Sequence, residues 1–199
     1  ATAKEVIAKA TEHGYSMVDA PVSGGIAAAN GGTLTFMVGG AASAFERAEP
    51  ILDAMGKAVI HAGDAGAGQT AKICNNMLLA ITMIGTAEAF ALADKLGLDA
   101  QTFYDISSKA SGQSWSMTSY CPVPGVGPES PADRGYAPGF AAAMMLKDMR
   151  LAQEAAHSAK APTPLGAQAE ALYALLESAG HDDLDFSAIM KLIDGTLMK

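Results

Sequence analysis

The alternation of apolar and polar positions changes character near Gly63. Upstream of this glycine, short apolar runs with the two-residue period of strands alternate with runs that have helical spacing. The predicted strands cover residues 16–22, 33–38 and 57–61, and the predicted helices cover residues 2–12, 26–29 and 44–55. This mixture predicts an α/β fold for residues 1–63.

Downstream of Gly63 the apolar residues recur with helical spacing alone. The predicted helices cover residues 70–96, 100–109, 140–158, 164–179 and 187–198. Between Ser111 and Gly139 the chain carries five prolines among many small residues, which predicts a long ordered loop or a lid. Residues 64–199 are therefore predicted to form an all-α domain that begins with a long helix.

Short polar residues mark the predicted helix starts. Ser43 is predicted to cap the helix at 44–55, with Glu46 completing a capping box. Asp99 is predicted to cap the helix at 100–109, and Asp185 or Ser187 the last helix. These assignments fix where each helix is expected to begin.

Composition and charge exclude several classes of protein. The chain has 199 residues, half of them apolar, and a net charge of −8, which gives no electrostatic footprint for nucleic acid or an anionic membrane. The uncharged part of residues 77–93 is too short to span a bilayer comfortably, so we expect a buried core helix. Cys74 and Cys121 are isolated, which favours a reducing compartment, and the four histidines share no metal-ligand spacing.

Lys72 and Asn76 form the strongest chemical pattern in the sequence. They lie four residues apart at the start of the long apolar helix, so both side chains leave the same face. Gly66 and Gly68, just upstream, let a backbone and a ligand approach that face. A cation and an amide in this setting suit a substrate oxygen that develops negative charge. The alternative is a solvated lysine beside an asparagine at a helix start.

Residues 66–71 also satisfy the G-x-G-x-x-G/A dinucleotide fingerprint, with Glu88 about twenty residues further on. We reject this match as a phosphate loop for two reasons. Gly63-Asp64-Ala65 separates the preceding strand from the motif, and the helical pattern continues through Glu88 without a second strand.

Two further motifs carry polar groups. Asp19-Ala-Pro-Val-Ser-Gly-Gly25 predicts a strand that enters a turn and a short helix, where backbone N–H groups and the Ser23 hydroxyl can bind a carboxylate; an ordinary glycine turn is the alternative. Lys147 and Asp148 place a cation and a carboxylate within an apolar helix, or form a surface pair on a solvated stripe. Trp115 is read as a core aromatic or as a ligand contact.

Taken together, these motifs resemble the β-hydroxyacid dehydrogenase family over essentially the whole chain from Thr2. The matching signatures are Asp19-Ala-Pro-Val-Ser-Gly-Gly25, Gly66-x-Gly-x-x-x-Lys72-x-x-x-Asn76, Ile73-Cys-Asn-Asn-Met-Leu-Leu-Ala80, Lys147-Asp-Met-x-Leu-Ala152, Ser111-Gly-x-x-Trp115 and Pro122-Val-Pro-Gly125. The last two favour the branch that acts on 3-hydroxyisobutyrate over the tartronate-semialdehyde and glyoxylate reductases.

The resemblance implies an architecture and a cofactor. Residues 1–63 would be an α/β remnant, the C-terminal portion of a Rossmann-like dinucleotide-binding domain. Residues 64–199 would be an all-α helical substrate and dimerisation domain that begins with a long interdomain helix. The cofactor would be NAD. Family members begin with a true glycine fingerprint that this sequence lacks, and the chain opens at Ala1 with mid-helix character, so we expect residues 1–199 alone to be inactive.

The resemblance also implies a reaction, the NAD-dependent oxidation of 3-hydroxyisobutyrate to methylmalonate semialdehyde in valine catabolism. Lys72 would be the catalytic proton-transfer residue and Lys147 would contact the cofactor. The implied substrate-binding residues are Ser23, Gly24, Gly25, Asn76, Trp115, Phe140 and Asp148. No metal is expected.

The implied partners are a small-molecule 3-hydroxy acid and further copies of the chain, as a homodimer or homotetramer, with no nucleic acid and no membrane. The implied location is the bacterial cytoplasm or the mitochondrial matrix. The alternatives are a tartronate-semialdehyde or glyoxylate reductase of the same family, or a non-catalytic helical assembly module.

Overall fold

The computed structural model describes residues 2–197 and divides the chain into two compact units. One unit ends at Asn75 and the other begins at Asn76. The first is an α/β unit and the second is helical, which confirms the predicted fold class. The predicted domain boundary at residues 63 and 64 remains a prediction.

The first unit is built around a three-stranded sheet. Its elements are α1 (Thr2–Glu12), β1 (Val22–Ser23), α2 (Gly25–Asn30), β2 (Leu34–Gly39), α3 (Ala42–Asp53) and β3 (Gly56–Gly63). The strand order is β1-β2-β3, with β1 antiparallel and β3 parallel to β2. The helix α3 connects the parallel pair, as such a pair requires a crossover.

The strand predicted over residues 16–22 is largely absent. Asp19 makes an isolated antiparallel bridge with Gly39, and regular strand structure is limited to β1. Pro21 explains the interruption because it has no N–H to donate, although its carbonyl accepts from the N–H of Met37 at 3.0 Å.

The predicted capping box at Ser43 is wrong. The helix α3 begins at Ala42 and its N-cap residue is Ala41, which makes no side-chain capping bond. Ser43 therefore lies inside the first turn rather than at its edge. Pro50 lies within the helix and does not end it.

Up to Leu197, where the described residues end, the second unit contains the rest of a long helix and five further helices. They are α4 (Ala67–Lys95), α5 (Ala100–Ser107), α6 (Trp115–Thr118), α7 (Ala142–Ala159), α8 (Pro164–Ser178) and α9 (Ile189–Asp194), with 3₁₀ turns at Pro131–Arg134 and Phe186–Ala188. Asp99 caps α5 as predicted, accepting from the N–H of Thr102 at 2.9 Å. The last helix is shorter than predicted, and its predicted end at Met198 lies outside the described residues.

One face of α4 forms the centre of the second unit's core. Its residues Ala80, Met83, Ala87 and Phe90 are buried in one cluster with side chains of α7 and α8. The helix is also long and apolar enough, by length and composition, to cross a membrane. Core helices of globular domains commonly meet the same criterion, and the buried face agrees with that interpretation.

Candidate active site

Lys72 lies beside the glycine turn that follows β1. Its Nζ donates a hydrogen bond to the carbonyl oxygen of Val22 at 2.7 Å. Val22 directly precedes Ser23, so the contact brings the cation of α4 to the Ser23–Gly25 turn across fifty positions of sequence. Within the first unit, the structure therefore brings together the proton-transfer residue and the carboxylate-binding turn that the sequence predicted.

The turn itself requires glycine. Gly24 has φ +131° and Gly25 has φ +65°, and a Cβ on Gly24 would overlap the Cβ of Ala28. The helix α2 begins at Gly25 without a side-chain cap. Because the first N–H groups of a helix lack intrahelical partners, they can serve a polar group outside it. Replacing Gly24 would disturb the backbone, so Ser23 is the cleaner position for testing this turn.

Asp19 occupies the N-terminus of α4. Its carboxylate accepts from the N–H of Gly66 at 2.6 Å and from the N–H of Gln69 at 2.8 Å. A carboxylate at this position is favoured by the unpaired N–H groups and by the helix dipole. The glycine motif at residues 66–71 therefore binds a carboxylate of its own chain, which agrees with its rejection as a phosphate loop.

Two glycines allow this close approach. A Cβ on Gly68 would overlap the carbonyl oxygen of Met37 and lie 2.8 Å from the Asp19 carboxylate. A Cβ on Gly39 would lie 2.6 Å from the same carboxylate. Glycine at both positions lets the start of α4 pack directly against β2, and this packing accounts for the glycine spacing without a nucleotide.

In the second unit, Asp148 connects the two polar pairs that the sequence singled out. Its Oδ2 accepts from Nδ2 of Asn76 at 2.6 Å, and its Oδ1 lies 3.0 Å from the ammonium of Lys147. Asp148 and Asn76 are buried, whereas the Lys147 side chain is about half exposed at 54%. The pair on α7 is thus not a solvated surface pair. Asp148 fixes the orientation of the Asn76 amide.

Trp115 and Phe140 belong to a row of aromatic rings in the same unit. Trp115 stacks on Tyr120 with ring centroids 4.9 Å apart, and Tyr120 stacks on Phe186 at 5.3 Å. Phe140 contacts the other side of Phe186 edge to face at 5.6 Å. Trp115 is 51% exposed, so it is not a core aromatic. Phe140 precedes α7 instead of lying within it.

Tyr120, the second ring of this aromatic row, contacts a buried carboxylate. The hydroxyl of Tyr120 donates to Oδ2 of Asp185 at 2.9 Å. Burial, together with the neighbouring Asp185 charge, raises the pKa of Tyr120 well above its usual value. The Tyr120 hydroxyl therefore stays protonated and remains a donor at any physiological pH.

Sequence reasoning missed three residues of this arrangement: Asp19, Tyr120 and Asp185. Asp185 was expected as a helix cap, and it does accept from the N–H of Ser187 at 3.0 Å, but its contacts with Tyr120 were not foreseen. Asp19 caps a helix that starts nearly fifty positions later, so no local capping signal exists for it. The available hint is an acidic residue two positions before the Pro21-x-Ser-Gly-Gly25 turn.

The glycine motif of residues 66–71 is occupied by a carboxylate of the same chain. Within residues 2–197, the glycine motif that fits a phosphate loop is filled by Asp19, as described above. Within the same residues no group of three histidine, cysteine or acidic side chains could hold a metal ion. The polar groups instead suit a small substrate that carries a carboxylate and a hydroxyl.

Two family models match consecutive parts of the chain. Residues 66–193 match the family model described as NAD-binding of NADP-dependent 3-hydroxyisobutyrate dehydrogenase, and residues 1–63 match the NAD binding domain of 6-phosphogluconate dehydrogenase. The predicted cofactor, NAD, is confirmed by these two NAD-binding models.

Several relatives are about half identical to the chain. An NAD-dependent L-serine dehydrogenase of Pseudomonas aeruginosa is 51% identical over 98% of this chain and 65% of that protein. A 3-hydroxyisobutyrate dehydrogenase of the same organism is 50% identical over 98% of this chain and 66% of that protein. A solved structure of Mycobacterium tuberculosis 3-hydroxyisobutyrate dehydrogenase with L-serine has a TM-score of 0.91 at 50% identity, covering 96% of this chain and 65% of that one. The chain thus spans just under two thirds of these relatives' length.

A Rossmann-like fragment followed by a helical domain, together with the two family models, places the chain in the class of NAD-binding β-hydroxyacid dehydrogenases. The chain belongs to the 3-hydroxyisobutyrate dehydrogenase family of this class, as the family model over residues 66–193 and the relatives at about 50% identity establish. The resemblance predicted from the motifs is confirmed.

Proposed function

We propose that this chain supplies the substrate-binding and proton-transfer residues of an NAD-dependent dehydrogenase that oxidises 3-hydroxy carboxylates. The observation that carries the proposal is the 2.7 Å hydrogen bond from Lys72 to Val22, directly before the Ser23 turn. A cation beside a turn of N–H groups and a hydroxyl suits a substrate whose alcohol and carboxylate are a few bonds apart.

In this proposal the Ser23–Gly25 turn binds the substrate carboxylate through the Ser23 hydroxyl and backbone N–H groups. Once the Lys72 ammonium has released a proton to solvent, its amine accepts the proton of the substrate hydroxyl as hydride leaves the adjacent carbon. The resulting ammonium then stabilises the carbonyl oxygen of the product. NAD⁺ supplies the hydride acceptor when it is bound. The balance is an alcohol and NAD⁺ giving an aldehyde, NADH and one proton.

Residues of the second unit complete the proposed roles. Asn76, held by Asp148 at 2.6 Å, orients the substrate oxygen one helical turn from Lys72. Lys147, paired with Asp148, binds the cofactor through its half-exposed ammonium. Trp115 and Phe140 exclude water from the bound substrate, which strengthens each electrostatic contact to it.

The preferred substrate in this proposal is 3-hydroxyisobutyrate, with methylmalonate semialdehyde as product, as in valine catabolism. L-Serine is a second candidate because one relative is named an L-serine dehydrogenase and a solved relative contains L-serine. The two molecules share a primary alcohol, one intervening carbon and a carboxylate. They differ in the group on that carbon, a methyl or an ammonium, and the apolar rings of Trp115 and Phe140 favour the methyl.

Other properties of the whole protein are also proposals. We infer a homodimer or homotetramer that acts in the bacterial cytoplasm or the mitochondrial matrix. We further propose that residues 1–199 alone do not turn over substrate, because the glycine fingerprint of the family is absent from this sequence.

The test is a steady-state assay of NADH formation by the full-length polypeptide with 3-hydroxyisobutyrate, L-serine and glycerate. A Ser23→Ala variant should raise KM for each accepted acid by about tenfold to a hundredfold, the worth of a hydrogen bond to a charged group. Ser43→Ala is the matched control, since this exposed serine makes no capping bond. Equal KM values in Ser23→Ala and in the unmodified enzyme would contradict the carboxylate assignment.

A further inference from the structure

Asp185 is fully buried and its carboxylate accepts five hydrogen bonds. Oδ1 accepts from the N–H of Ser187 at 3.0 Å and from its hydroxyl at 2.7 Å. Oδ2 accepts from the Tyr120 hydroxyl at 2.9 Å, the Gly139 N–H at 2.9 Å and the Phe140 N–H at 3.0 Å. A buried charge with this many donors is well stabilised.

A capping role explains two of these five contacts. The two bonds from Ser187 to Oδ1 begin the 3₁₀ turn Phe186–Ala188, as an N-cap should. The three donors on Oδ2 have no part in that turn. They come from the segment after α6 and from the segment before α7, so Oδ2 joins two stretches that are distant from Asp185 in sequence.

Each of these contacts leads to an aromatic residue to which the proposed function assigns substrate contact, which is Trp115 through the Tyr120 ring and Phe140 directly. Tyr120 bears the exposed indole of Trp115 on its ring face, at 4.9 Å and an interplanar angle of 23°. The N–H of Phe140 donates directly to Asp185. The carbonyl of Phe140 accepts from the N–H of Phe186 at 2.9 Å. Neither Trp115 nor Phe140 is therefore placed by its own packing alone.

We propose that Asp185 is a positioning residue of the substrate site, because its Oδ2 holds Tyr120 and the start of α7 and thereby sets Trp115 and Phe140. The proposal rests on the proposed function, which gives these two rings their role at the substrate. Asp185 itself touches no substrate. It positions Trp115 through the Tyr120 ring, and it positions Phe140 through the hydrogen bond to that residue's backbone N–H.

Gly139 provides independent geometric support. A Cβ at this position would lie 2.7 Å from the Tyr120 hydroxyl, closer than packed atoms tolerate. Glycine therefore allows the hydroxyl to reach Asp185. Gly139→Ala should displace the Tyr120 hydroxyl while leaving the Asp185 charge in place. This variant therefore distinguishes the effect of moving Tyr120 from the effect of removing the Asp185 charge.

The experiment uses Trp115 as a reporter, because it is the one tryptophan in the 199-residue sequence. Fluorescence emission and acrylamide quenching are measured on this chain for Asp185→Asn and Gly139→Ala, with Asp183→Asn as the matched control. Asp183 is exposed and carries the same charge two positions away. In the full-length polypeptide, KM and kcat for 3-hydroxy acids are measured for the same variants.

Asp185→Asn and Gly139→Ala should both red-shift the emission and raise the quenching constant of Trp115. Both should raise KM about tenfold with kcat within about threefold, the pattern of a misplaced binding surface. Asp183→Asn should match the unmodified protein in every measurement. If Asp185→Asn does not fold, the same readouts on Gly139→Ala decide.

Unchanged Trp115 fluorescence and unchanged KM in folded variants, with a lowered melting temperature alone, would reduce Asp185 to a structural residue and overturn the proposal. Failure of the unmodified enzyme to oxidise any 3-hydroxy acid would instead contradict the proposed function. The fluorescence result is independent of that outcome, so the two failures are distinguishable.

Discussion

Hydrogen bonds from two places on α4 to the segment before Ser23 hold Lys72 beside the Ser23–Gly25 turn. The Asp19 carboxylate accepts hydrogen bonds from N–H groups at the start of α4. Lys72, further along the same helix, donates to the carbonyl oxygen of Val22. Both acceptors lie on the segment that leads into Ser23. The position of the lysine is therefore determined by the helix start as well as by its own side chain.

The decisive prediction at this scale concerns the proton that Lys72 is proposed to accept. Lys72→Ala in the full-length enzyme should lower kcat by roughly 10²–10⁴-fold, the usual contribution of a positioned acid–base group. Lys72→Arg should lose a comparable factor, because guanidinium stays protonated and cannot accept the hydroxyl proton. Steady-state kinetics and a cofactor titration measure both effects.

Lys95 at the end of the same helix supplies the control for these variants. Lys95→Ala removes an equal charge from an exposed position and should leave kcat unchanged. Near-native kcat in Lys72→Arg would exclude proton transfer by this residue. A lower cofactor affinity in Lys72→Ala, at normal kcat, would assign it to the cofactor instead.

At the scale of elements, two glycines of α4 differ in how closely other atoms pack against them. A Cβ on Gly68 would overlap the carbonyl of Met37, whereas a Cβ on Gly85 would have no neighbouring atom within 4 Å. The same residue type is therefore a packing requirement at one end of the helix and a cost in backbone entropy further along it.

This contrast gives a matched pair of predictions within one helix. Gly85→Ala should raise the free energy of unfolding by roughly 0.5–1 kcal/mol, because alanine loses less backbone freedom on folding. Gly68→Ala should destabilise the first unit by several-fold more, because the added methyl separates α4 from β2. Denaturant unfolding followed by circular dichroism measures both. Equal effects of the two substitutions would mean that α4 does not pack against β2 as described.

The elements that could be predicted from the sequence are those with long local signals. The boundaries of α1 match the prediction, and β2, β3, α4, α5, α7 and α8 deviate by a few residues at most. The failures have nonlocal or competing causes. Pro21 removed a donor from the predicted first strand, and α3 began before its apparent cap at Ser43.

The candidate site likewise contains features that local sequence signals predict and contacts that they do not. The helix that carries Lys72 and Asn76 could be predicted from the apolar spacing, and the Ser23 turn from its glycines. The bond between Asn76 and Asp148 joins residues 72 positions apart, and no sequence period encodes it. The same holds for Tyr120 and Asp185, which meet across 65 positions. Such contacts depend on how the helices pack, and the spacing of residues in one sequence does not predict that packing.

At the scale of the whole molecule, the two cysteines report on different parts of the chain. Cys74 is exposed on α4, whereas Cys121 is buried in the core of the second unit. Burial is the main cause that raises the pKa of the Cys121 thiol to about 11. Because a raised pKa favours the protonated thiol below that pH, Cys121 is unreactive at pH 8 both chemically and through lack of access.

One thiol per chain should therefore react quickly with a disulfide reagent at pH 8, and the second should react at the rate at which the second unit opens. In a Cys74→Ser variant the fast reaction should disappear and the slow one should remain. Adding denaturant should speed the slow reaction in step with unfolding of the second unit, since opening both admits the reagent and returns the thiol towards its ordinary pKa. Rapid labelling of Cys121 in native buffer, at a rate insensitive to denaturant, would show that the core around α4 and α7 is not closed.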